Sequence, residues 1–141
     1  LIVNGGIPMR WPYMLIALAA ALGVWESYAG AYGTLGMEGV RRSPRQQVQV
    51  CAGWLVGVIA NLTLLNMAFQ RLDPATFHAK GEPAGLLDVA YLTLLTFASG
   101  GYGDVMPQTV AGKVLSMVTS LGGLLYATIL FTALFQALRE E

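Results

Sequence analysis

The segment 98-ASGGYGDVMP-107 packs three glycines into four positions around a single tyrosine, and an aspartate follows at once. Just before it lies 86-LLDVAYLTLLTFA-98, an apolar run of 13 residues. A helix that crosses a membrane needs about 20 such residues, so this run enters an apolar layer and stops. A short apolar helix that ends in glycines reads as re-entrant. Irregular backbone at membrane depth is tolerated only where protein buries it or where it lines a water-filled cavity. The glycines are therefore expected to line something.

The flanks agree with a membrane setting. Val48–Phe69 and Val110–Leu138 are long apolar stretches, broken by uncharged polar residues such as Asn61 and Asn66 and, near the start of the second, by Lys113. Both reach spanning length. A third apolar stretch, from Trp11 to Met37, is weaker. Its clean part, 12-PYMLIALAAALGVW-25, has 14 residues, and Glu26 follows. The expectation is a helix that ends near Trp25, with Glu26 among headgroups. The segment 71-RLDPATFHAKGEPAG-85 is polar, with two prolines, and reads as a loop. Arg41, Arg42 and Arg45 cluster between the first two apolar stretches, which assigns that loop to the cytoplasmic side. The polar loop, the short helix and the glycines then face outward.

Composition supports this. Of 141 residues, 55% are apolar and 11% charged, against about 45–50% and about 25% in a soluble domain. The formal net charge is zero, which gives no footprint for nucleic acid. One histidine, His78, and one cysteine, Cys51, leave no room for an internal disulfide, a zinc cluster or most catalytic constellations. His78 reads as a solvated loop residue and Cys51 as a small buried one. An enzyme is not expected.

A row of carbonyls aimed at one axis replaces the hydration shell of a cation. Aiming successive carbonyls alike needs alternation between ordinary and left-handed backbone, which glycine reaches freely. Gly101 and Gly103 have the spacing for it. The C-terminal end of the short helix adds a partial negative charge that favours a cation, and Asp88 suits the opposite end.

The run 88-DVAYLTLLTFASGGYGDVMP-107 resembles the pore loop of the potassium channel superfamily, in particular its two-helix pore module. The usual filter there reads Thr-Val-Gly-Tyr-Gly, followed by Asp. Ser99 falls on the threonine and Gly100 on the valine. Gly101, Tyr102 and Gly103 match, and Asp104 matches the aspartate of the outer mouth. The resemblance implies an all-α membrane protein: two transmembrane helices flank a re-entrant pore helix and filter loop, with an extra N-terminal hydrophobic helix. It divides the chain into 1–46, a hydrophobic helix and basic loop, and 47–141, a pore domain. Within the latter it implies an outer helix over 48–70, a pore helix over 86–98, a filter over 99–103 and an inner helix over 109–138. One loop supplies one strand of a carbonyl cage, so a homotetramer around a closed axis is implied. Potassium ions would bind at Ser99, Gly100, Gly101 and Tyr102, with no cofactor. Membrane lipids are the other partners. A cell membrane, as a multi-pass protein, is the expected location, and so compact a chain suggests a prokaryote.

The departures bear on selectivity. Gly100 keeps its carbonyl but lacks the valine side chain, worth about 1.5–3 kcal/mol of apolar burial. Leu95 and Phe97 are candidates to fill the gap behind the filter. Leu95 stands where some relatives carry a carboxylate, and Tyr91 stands near a position that often holds tryptophan. A filter loosened at Gly100 would admit sodium as well as potassium. A third reading, from another class, is a non-conducting membrane assembly or accessory subunit.

On the last apolar stretch, Ser116, Ser120, Gly123, Ala127, Phe131 and Leu134 recur at helical spacing and define one face. It is small or polar at one end and bulky at the other. Ser120 and Ala127 are expected to line the pore, and Phe131, Leu134 and Phe135 to form an inner gate. Gly122 and Gly123 sit where the family carries a hinge glycine.

Overall fold

The computed structural model describes residues 2–3, 7–8, 10–36, 43–101 and 103–139. The basic pair Arg41 and Arg42 lies outside the described residues. A short antiparallel pairing of β1 (Ile2–Val3) with β2 (Ile7–Pro8) precedes helix α1 (Trp11–Leu35). Helix α2 (Pro44–Leu72) follows. Then come β3 (Phe77–Ala79), β4 (Glu82–Pro83), α3 (Leu86–Phe97), β5 (Val105–Pro107) and α4 (Val110–Arg139). The helices α1, α2 and α4 are long and apolar enough to cross a membrane, and α3 is not. The chain is an all-α membrane protein with an extra N-terminal helix.

Helix α1 continues ten residues past Trp25, so the expected stop near Trp25 is corrected. Glu26 is a strong helix former, and one carboxylate does not end a helix whose other face is packed. That face runs antiparallel to α2. Gly23 abuts Asn61, Ser27 abuts Gly57, and Gly30 abuts Trp54. The Thr34 hydroxyl lies 3.1 Å from the Cys51 sulfur. Small residues let the two backbones approach, as is usual between membrane helices. Glu26 itself is exposed.

Helix α2 begins four residues before the apolar stretch. Ser43 and Gln46 form a reciprocal capping box, with Oγ accepting from the Gln46 amide and Oε1 from the Ser43 amide. Pro44 stands in the first turn, where its missing N–H is harmless.

The segment read as a plain loop carries a small sheet of order β4-β3-β5, in which His78 pairs with both Pro83 and Met106. Gln70 pins this sheet to the end of α2. Its buried amide nitrogen donates to the carbonyls of Pro74, Phe77 and Ala84, and its oxygen accepts from the Phe77 amide. Phe77 then seals a core with Ala84, Val89, Leu92 and Val105. That core fixes the start of α3 beneath the sheet. A second core joins α1, α2 and α4 through Ala31, Val58, Leu62 and Tyr126.

Candidate functional site

Helix α3 sets the geometry of the glycine loop. Asp88 in its first turn accepts from the Gly85 amide at 2.9 Å, which holds the helix entry. On the buried face, Thr93 accepts a hydrogen bond from Asn66 of α2 at 2.9 Å. Asn66 thus bonds across helices, whereas Asn61 bonds back to the Gly57 carbonyl of its own helix.

The far end of α3 closes in a recognisable way. The Gly100 amide donates to the Leu95 carbonyl at 2.7 Å and the Ser99 amide to the Thr96 carbonyl at 3.1 Å. Ser99 takes φ +57°. This is a Schellman cap with serine in the left-handed position that glycine usually holds. Gly101 follows with φ +77°. Among the described residues of the loop, Ser99 takes a left-handed position that the spacing of Gly101 and Gly103 did not point to, and Gly101 takes one as expected. Helix termination claims Ser99 first, and the alternation is counted from there. Tyr102 lies outside the described residues.

Leu95 and Tyr91 lie against the loop. A Cβ on Gly100 would stand 3.5 Å from Leu95 Cδ2, and one on Gly103 would stand 3.3 Å from the Tyr91 hydroxyl and 4.0 Å from Leu95 Cδ1. Phe97 does not back the loop. Two residues at about 100° each rotate it away from Leu95, and its ring packs against Tyr126, 6.2 Å between centroids.

Beneath the loop opens a cleft of about 260 Å³, lined by Thr96, Ser99, Gly101, Ser116, Met117 and Ser120. Four of its six lining residues carry hydroxyls. Thr96 is almost fully buried, and its Oγ1 has no hydrogen-bond partner among the described residues. The sequence reading missed Thr96. Its spacing of three from Ser99 would have placed both at the same helix end. Ser120 lines this cleft. Above the loop, a second cleft of about 510 Å³ gathers Lys80, Glu82, Asp88, Tyr91 and Asp104. Three of those five carry carboxylates.

Helix α4 runs without interruption through Gly122 and Gly123. Both face neighbours. A Cβ on Gly123 would run into the Phe97 carbonyl, and one on Gly122 would meet the Tyr28 hydroxyl at 2.7 Å. Gly123 therefore faces the end of α3, not a pore axis, because only a bare Cα lets the α3 terminus sit against α4. Ser116 is buried beside the cleft, Ala127 is half-buried, and Phe131, Leu134 and Phe135 are exposed in the single chain. Lys113 is exposed near the start of α4.

A spanning helix, a re-entrant helix, a glycine loop above a hydroxyl-lined cleft and a second spanning helix define a membrane pore module. A family model described as "Ion channel" matches residues 54–140, and the chain belongs to that family. The match begins within α2 and ends at the close of α4, so α1 lies outside it. No solved structure matches the chain.

Proposed function

We propose that the chain assembles as a homotetramer that conducts potassium passively through a filter made of the carbonyls of Ser99, Gly100, Gly101, Tyr102 and Gly103. The observation that carries this reading is the left-handed backbone at Ser99 and Gly101 on either side of Gly100, directly above a cleft lined with hydroxyls. A desolvated cation needs oxygens on the loop and polar groups beneath it. Here Ser99 contributes to both. Asp104 and the carboxylates around it concentrate cations at the mouth. At the other end of α4, Phe131, Leu134 and Phe135 form a bulky ring that closes by dewetting. Gly122 and Gly123 serve as its hinge only if the Phe97 contact is released.

A second reading, weak selection between potassium and sodium, is favoured by one feature. The space behind Gly100 is filled by a flexible leucine side chain instead of a residue attached to the loop itself. The test for both is the reversal potential of the purified protein in planar bilayers, with potassium on one side and sodium on the other. A value near the potassium equilibrium potential supports strict selection. A value near zero with substantial current supports the second reading, and Gly100→Val is then expected to restore selection. Loss of current on Gly101→Ala separates a pore from a scaffold; current undiminished by that change would sink the filter assignment.

A further inference from the structure

We propose that the groove where α1, α2 and the start of α3 meet is a binding site for one anionic phospholipid. The groove encloses about 400 Å³ between Tyr13, Ile16, Leu64, Met67, Leu86 and Arg71. All of its lining but the Arg71 head and the Tyr13 hydroxyl is apolar, which is the surface an acyl chain wets. Arg71 is exposed in the last turn of α2. A helix of 29 residues is about 43 Å long at about 1.5 Å per residue, more than the roughly 30 Å hydrocarbon layer. Arg71 therefore stands at headgroup depth, with the groove running below it into the acyl layer.

The cations at this place are not ion-paired. Among the described residues Arg71 and Arg10 form no ion pair. Asp73, two residues along the chain from Arg71, accepts from the Ala75 amide, and Asp88 accepts from the Gly85 amide. Arg10 sits at the N-terminus of α1, and α1 runs antiparallel to α2, so both arginines lie at the same end of the bundle. Trp11, exposed beside Arg10, adds an interfacial aromatic. Arg71 above an apolar slot, with Arg10 at the same end of the bundle, matches an anionic head above an acyl chain. A zwitterionic lipid offers the same chain but no net charge. The groove ends at Leu86, the first residue of α3. An occupant there touches the element that aims the filter loop.

The experiment is lipid retention by the purified channel. The protein is equilibrated with equal dioleoyl phosphatidylglycerol and dioleoyl phosphatidylcholine, washed in detergent, and its retained lipid is counted by mass spectrometry. Preferential retention of phosphatidylglycerol is expected. Arg71→Gln is expected to lower it about fivefold, Arg71→Lys to keep most of it, and Leu64→Trp, which fills the slot, to remove it. Glycerol phosphate is not expected to compete, because it lacks the chains. Equal retention of the two lipids would overturn the proposal, as would undiminished retention in Arg71→Gln or full competition by glycerol phosphate. A change of oligomeric state in Leu64→Trp would also overturn it, since the groove would then be a subunit contact.

Discussion

The Gly100 amide and the Leu95 carbonyl meet at 2.7 Å, and the Leu95 side chain lies where a side chain on Gly100 would pack. One residue of α3 thus ends the helix and backs the loop. A Schellman cap is commonly completed by an apolar contact between the residue at Gly100's position and the one at Leu95's. Here that contact is absent because glycine has nothing to offer.

Gly100→Val should supply it. The added Cβ would stand 3.3 Å from the Leu95 carbonyl, a tight contact that asks for a small shift. Against that, valine brings apolar burial and removes glycine's excess entropy, together about 2–4 kcal/mol per chain. The expected result is a higher thermal midpoint for the assembled protein, read by fluorescence-detected size exclusion. A lower midpoint would mean that Leu95, which fills the space behind Gly100, cannot yield to the valine.

Gly123→Ala should be severely destabilising, because its methyl would meet the Phe97 carbonyl, which is backbone and cannot rotate aside. A cost of about 3 kcal/mol, at the upper end of overpacking, is expected, with loss of assembled protein. Gly122→Ala differs in kind. Its obstacle is the Tyr28 hydroxyl, the tip of a side chain. Tyr28→Phe should rescue Gly122→Ala and leave Gly123→Ala unrescued. Equal rescue of both would sink the assignment of separate contacts.

Gln70→Leu removes the amide that serves three carbonyls and one N–H. Each buried backbone group left unpaired costs about 1–3 kcal/mol. The loop over residues 73–85 should become open to limited proteolysis while the spanning helices stay protected. Gln70→Glu keeps the acceptor and loses the donors, so it should resemble Gln70→Leu. A loop as resistant as wild type in both variants would show that the sheet holds without Gln70.

The membrane character and the order of helices were legible because apolar length and glycine punctuation are local signals. Leu86–Phe97 was readable as a short helix for the same reason. What escaped was non-local. The sheet of β3, β4 and β5 rests on Gln70, whose partners lie up to 14 residues away. Ser99's left-handed turn belongs to a helix cap, and serine carries a weaker signal for it than glycine. Phe97 was read as backing the filter from proximity in sequence, but helical rotation sends it to Tyr126. Glu26 was read as a helix end because charge was weighed without the small residues that pack α1 on α2.

Glu26 then poses its own test. Its neighbour Ser27 packs on Gly57, which stands near the middle of α2, so Glu26 lies near mid-depth in the membrane. It is exposed, with no ion pair among the described residues. A carboxylate there disfavours insertion, and its replacement by leucine should favour insertion of the α1 segment by about 3 kcal/mol, measured by glycosylation mapping. In the assembled protein the expected sign reverses. An intramembrane carboxylate persists where a second protein surface or water meets it, so Glu26→Leu should loosen the oligomer, and Glu26→Gln, which keeps hydrogen bonding, should loosen it less. An oligomer that Glu26→Leu strengthens would place this face of α1 against lipid instead.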